Sequence, residues 1–164
     1  MKTQGALFAL TLLAALGCGL VAGIFYAFSS FVMEALARIP AQAGILAMQS
    51  INLAVMTPSF LVVFLGTAAA SIVLAIAALL SWETPGAPCL GLGGTLYAIG
   101  VVGVTAAFNI PRNEALAAAE PSSAEAAALW ARYLSSWTAW NHVRAAASLA
   151  AMASFILALC AMAG

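Results

Sequence analysis

The chain is 164 residues long, 65% hydrophobic and 6% charged, with a mean hydropathy of +1.10. A water-soluble domain carries about a quarter charged residues, so this chain could not cover its own surface in water and reads as an integral membrane protein whose first partner is the lipid bilayer. Five basic and five acidic residues cancel, which leaves no electrostatic footprint for a nucleic-acid partner.

Four apolar stretches are each long enough to cross about 30 Å of hydrocarbon, which takes about 20 helical residues. The first covers about 5–33. It follows Met1-Lys2 as a signal peptide would, but the run is far longer than a signal h-region, so it is read as a retained helix. Tyr26, Ser30 and Glu34 stand four apart on it and suggest a polar line facing a wet groove inside the bundle; Glu34 reads equally as solvated beyond the membrane. Gly19 and Gly23 predict a close helix contact. After a connection over 34–57, Thr57-Pro58 offers an N-cap and a proline at the first helical position. They open the second span, 58–82. Glu83-Thr-Pro-Gly-Ala-Pro88 is a tight turn into the third span, 88–108, where Gly94 with Ala98 and Gly100 with Gly103 again predict close packing. Pro111 is expected to stop that helix.

Ser122-Ser-Ala-Glu125 has the form of a capping box. It predicts a helix that starts near Ser123 and runs through the fourth span, 143–162. That helix would hold about 40 residues and reach about 60 Å, so its first half projects from the membrane or lies at its surface. The expected fold is all-α: one membrane domain over 1–164, a four-transmembrane-helix antiparallel bundle with two longer helical connections, 34–57 and 109–142, on one side of the membrane. All four arginines and the histidine lie on that side, against Lys2 on the other. The positive-inside rule places those connections in the cytoplasm.

Ser135–Arg144 concentrates two of the four tryptophans, the only histidine and one arginine. Polar groups at the edge of hydrocarbon are expensive and tend to have a task. Trp130, Tyr133, Trp137 and Trp140 recur by threes and fours and share a helix face. They read either as an interfacial aromatic belt or as the wall of a pocket for a flat aromatic or lipid-like ligand. Asn109 and Asn113 either cap a helix end or orient a ligand oxygen. Asn141 and Arg144 extend the same polar group. Histidine is the side chain type suited to proton transfer under physiological conditions, so His142 reads either as a structural residue or as a candidate base, with Arg144 beside it disfavouring the imidazolium.

One histidine and no Glu-x-x-His pair give no reason to expect a di-iron or zinc site. No phosphate-binding loop or dinucleotide fingerprint is present. No cofactor is expected; a haem on one histidine and a metal shared between two chains are left open, as is a homo-oligomer. Cys18, Cys89 and Cys160 are odd in number and sit among apolar residues, and read as small buried hydrophobes.

The chain resembles the anthrone oxygenase-like family of small four-helix membrane proteins, many of them bacterial. The resemblance covers nearly the whole length. It is carried by Ala22-Gly-Ile-Phe-Tyr-Ala-Phe-Ser-Ser-Phe-Val-Met33 and Met48-Gln-Ser-Ile-Asn52, and by Phe108-Asn-Ile-Pro-Arg-Asn-Glu-Ala-Leu116. Trp130 and Trp137-Thr-Ala-Trp-Asn-His-Val-Arg144 complete it. At Glu34 the chain departs from the family, where proline is expected. The resemblance implies four transmembrane helices, a bacterial inner membrane and oxidation of an anthrone-like phenolic substrate by O2 without a cofactor. It implies site residues at Asn52, Asn109, Asn113, Trp137, Asn141, His142 and Arg144. In that reading His142 removes a benzylic proton, while Arg144, Asn109 and Asn113, with Asn141, hold the developing oxyanion. Trp130, Tyr133, Trp137 and Trp140 stack on the rings of a hydrophobic aromatic molecule, beside Tyr26 and Ser30. The alternative is a non-catalytic membrane protein that binds a lipid or quinone, or serves as a partner subunit. Convergence of Asn109, Asn113, His142 and Arg144 on one cavity separates the two.

Overall fold

The structure, a computed structural model, describes residues 2–164. Its helices are α1 Gln4–Ala37, α2 Ala41–Ala54, α3 Pro58–Leu80, α4 Ala87–Ala117 and α5 Ala124–Ala163. All but α2 are long and apolar enough to cross a membrane. No strand occurs among the described residues, so the chain is all-α with four membrane-spanning helices.

The long helices form a closed ring in which each packs on the next and the last packs on the first. Register shows the antiparallel order. Gly17 of α1 meets Thr67 of α3, and Gly94 of α4 meets Ser71 of α3. Along the α4–α5 seam, Gly93 faces Phe155 and Gly100 faces Ala147. Between α5 and α1, Ser148 donates to the Cys18 carbonyl and Asn141 to the Phe25 carbonyl. The small residues have a plain use: lipid offers no hydrophobic drive between helices, so close backbone approach supplies the contact. A Cβ at Gly93 would stand 2.8 Å from the Phe155 ring, and one at Gly100 2.6 Å from the Ala147 Cβ. The expected pairs are only partly the contacts. Gly23 faces open space and Gly103 meets no other helix, while Gly17 and Gly93 sit at seams.

Outside the ring, α2 and the first half of α5 build a second core on one side. Met33, Ile45, Met48, Leu116, Trp130, Tyr133 and Trp137 are buried there. Gln49 Nε2 ties α2 to the end of α4 through the Leu116 carbonyl at 2.8 Å and the Ala119 carbonyl at 3.3 Å. At the opposite end Gly86 turns the chain between α3 and α4. Its φ is +82°, and a Cβ there would lie 2.9 Å from the Ala158 carbonyl oxygen, so both the left-handed backbone and the space require glycine.

Two local expectations are corrected. Pro111 does not end α4, which continues to Ala117. A π turn over Thr105–Asn109 precedes it, and the Arg112 guanidinium folds back on the Phe108 carbonyl at 2.6 Å. The wide turn and the side-chain donor carry the helix past the missing N–H. The N-cap of α5 is Ser123 rather than Ser122: its hydroxyl accepts from the Ala126 N–H at 3.1 Å, and Ser122 turns to Glu120. Two further π turns lie at Phe28–Val32 in α1 and Leu96–Gly103 in α4.

Candidate functional site

Where the ring meets the second core, a cavity of about 360 Å³ lies between α1, α2, α3, α4 and α5. Most of its wall is apolar: Phe25 and Phe28, Met48 and Ile51, Phe60 and Phe64. Asn52, Thr105, Asn113, Trp137 and Arg144 supply the polar part. Apolar walls with a few converging polar groups are the usual build of a small-molecule site, and the volume falls at the lower end of the common range of about 300–1,000 Å³.

Arg144 is the centre of that polar part. Trp137, Asn141, Arg144 and Ser148 recur by fours and threes along α5, and all four are buried. Arg144 is 5% exposed. Its Nη2 donates to Asn141 Oδ1 at 2.6 Å and its Nη1 to Thr105 Oγ1 at 3.3 Å. The guanidinium carbon lies 4.2 Å from the centre of the Phe25 ring and 5.2 Å from that of Trp137, within cation–π range. Asn141 is held in turn, donating to the Phe25 carbonyl and to Ser29 Oγ, both at 2.7 Å. The Phe25 carbonyl lies one turn before the π turn of α1, where the regular hydrogen-bond ladder changes register.

No carboxylate balances this charge. Among the described residues the one ion pair is Arg38 with Glu34, exposed and outside the cavity. Arg144 Nε is buried without a partner, and so is Asn52 Nδ2 on the facing wall. Asn113 Oδ1 accepts from both Tyr133 Oη and Trp137 Nε1 at 2.8 Å. The indole can only donate, which fixes that atom as the oxygen and leaves the amide NH2 as a donor at the wall. A buried cation with neighbouring donors and no counter-ion is costly when empty. The arrangement suits a ligand bearing an oxygen with negative charge.

Other expected site residues lie elsewhere. His142 is exposed; it follows Asn141 by one residue, about 100° round the helix, and faces away from the cavity. Tyr26 and Ser30 are also exposed, Tyr26 to 62%. Ser30 donates to the Tyr26 carbonyl, and Glu34 pairs with Arg38. The polar line therefore faces outward, because Asn141 turns the neighbouring Phe25–Ser29 face inward. Trp140 stacks on Phe108 with centroids 3.5 Å apart, outside the cavity. Trp130 packs over Gly44 in the second core and stacks on Tyr133, which stacks on Trp137. Of this ladder only Trp137 reaches the cavity wall. Asn109 is buried behind it, its Nδ2 donating to the Trp137 carbonyl at 3.3 Å.

Phe25, Phe28, Thr105 and the α3 phenylalanines were not singled out from sequence. Thr105, four residues before Asn109 in an apolar span, carried a usable signal. The phenylalanines carried none, since lipid-facing and cavity-facing rings look alike in an apolar run. No group of three or more potential metal ligands occurs among the described residues.

A family model described as anthrone oxygenase matches residues 60–154. That segment includes Thr105, Asn113, Trp137, Asn141 and Arg144, and excludes Phe25 and Asn52. No curated protein and no solved structure matches the chain.

Proposed function

The chain belongs to the anthrone oxygenase family, and we propose that it oxidises an anthrone-like phenolic substrate with O2 in the cavity around Arg144. The supporting observation is the guanidinium itself: buried, unbalanced by any carboxylate, and in the same cavity wall as Asn52, whose Nδ2 has no partner. An anthrone loses a benzylic proton to give an anion whose charge is shared between ring carbon and carbonyl oxygen. Donors fixed on that oxygen favour the ionised form and lower the substrate's own pKa. Such pre-aimed donors are usually the largest catalytic term. Trp137 and Phe25 flank the rings.

The lining residues include no carboxylate and no imidazole, so in this reading the first proton passes to a water held by the polar groups of the cavity, without His142. The carbanion carbon reduces O2 and forms a C–O bond to give a peroxide. Loss of the second benzylic proton with cleavage of the O–O bond leaves a new carbonyl. Substrate plus O2 becomes quinone plus water, and the substrate supplies all the electrons.

The test is oxygen uptake by the purified protein with a simple anthrone. Arg144→Met should lower the protein-dependent rate by about a hundredfold, and Asn52→Ala by about tenfold. Uptake unaffected by Arg144→Met rejects the oxyanion reading. A second reading, a binding protein for a quinone or lipid headgroup, is favoured by the absence of a side-chain base from the cavity. Protein-dependent uptake separates the two. The cytoplasmic placement of the 34–57 and 109–142 connections in a bacterial inner membrane belongs to the same proposal.

A further inference from the structure

The cavity has two unlike ends. Its inner end carries Arg144 and Asn52. Its exposed lining includes Ile24 of α1 and Leu65 of α3, both hydrophobic. Below these residues α1 and α3 close up, where Gly17 sits directly against Thr67. Above that contact Ile24 and Leu65 line the cavity from the two helices and are themselves exposed. Leu65 lies about 10 Å along α3 from its first residue, at 1.5 Å per residue, well down a helix whose outer face is apolar. A water-facing mouth would carry polar side chains; exposed apolar ones on a spanning helix suit hydrocarbon.

We propose that the cavity opens between Ile24 and Leu65 as a lateral doorway. The cavity loads from the bilayer, and its substrate is a one-ended amphiphile: a phenol or enol with its oxygen at Arg144 and its apolar edge toward the lipid. This rests on the reading of Arg144 as the oxyanion anchor. It adds a specificity rule. A charged group on the ring edge remote from the reacting oxygen forbids passage, because a bare charge is expensive in hydrocarbon.

The probe is 1,8-dihydroxyanthraquinone, whose absorption moves to the red when a phenol ionises. Binding is followed by stopped flow with the whole protein in lipid nanodiscs, at a pH where the free probe is neutral. The neutral probe should show the red-shifted signal, and its derivative sulfonated on the ring edge remote from the hydroxyls should not. Ile24→Phe with Leu65→Phe should slow both association and release by about tenfold, as a raised barrier does. Ile24→Ala with Leu65→Ala should speed both.

A sulfonated probe that binds at the neutral probe's rate, or rates unmoved in both rim pairs, overturns the doorway while the signal still depends on Arg144. No signal in the wild type, or the same signal in Arg144→Met, overturns the oxyanion reading instead. A phospholipid retained by the wild type and lost in Arg144→Met, seen by native mass spectrometry, makes the occupant a lipid headgroup and overturns the substrate class.

Discussion

At Asn113 one side-chain oxygen accepts two hydrogen bonds, from Tyr133 and Trp137. Asn113→Ala would strand a buried phenol and a buried indole together. An unmet buried polar group costs about 1–3 kcal/mol, so the variant should melt earlier in detergent than the wild type. An unchanged melt would mean that both donors find other partners. His142→Ala should leave oxygen uptake within about twofold, since surface changes away from a site are nearly neutral; near-abolition would return His142 to the mechanism. The residue scale is also where sequence reading was most uneven. Asn141 and Arg144 were legible because polar side chains in an apolar helix are costly. His142, one position away, shared that signal but not that face. Ser29 and Ser30 show the same ambiguity: only Ser29 meets Asn141. The π turn beside them changes helix phase without leaving a mark in composition.

The lengths of the four apolar runs made the spanning helices readable. The long continuation of α5 ahead of its run was readable as well, from the serines before Ala124, whereas that of α1 to Ala37 and of α4 to Ala117 was not, because a helix leaving lipid for a protein-covered surface loses its hydrophobic marker but not its hydrogen bonds. Tyr97, Val101, Thr105 and Asn109 stand four apart on α4, and Tyr97, Val101 and Asn109 are buried. In a pure α-helix such a row drifts round the axis. The i→i+5 turns of α4 advance each residue by a smaller angle and hold the row nearer to one side. Glycine contacts give a graded test of these elements. A Cβ at Gly94 meets the Ser71 carbonyl and Ala75, whereas one at Gly23 meets nothing. Gly94→Ala should cost about 1–3 kcal/mol through overpacking. Gly23→Ala should be neutral or stabilising by about 1 kcal/mol through helix propensity. Equal melting temperatures for the two variants would contradict the α3–α4 seam described for Gly94.

For the whole molecule, hydropathy alone indicated a membrane bundle; the cavity depended on how its helices meet. Asn52 lies on α2, between the first two spans, and became a candidate only through family resemblance. Its place on the cavity wall follows from α2 packing on the end of α4 through Gln49. Sidedness is testable at this scale. With Cys18, Cys89 and Cys160 replaced by alanine, a Ser122→Cys variant should react with a membrane-impermeant maleimide in inverted vesicles and stay unlabelled in right-side-out ones. The reverse pattern places the 109–142 connection outside.

The ring closes between its first and last members: Asn141 and Ser148 of α5 bond carbonyls of α1. These contacts join residues more than a hundred positions apart, so they cannot form before α5 has been made. During synthesis α1 must wait in the bilayer with the Phe25 carbonyl unclaimed by Asn141, until α5 leaves the ribosome. Assembly of the cavity is therefore a late event, and a chain cut short before Asn141 would enter the membrane without ever acquiring a binding site.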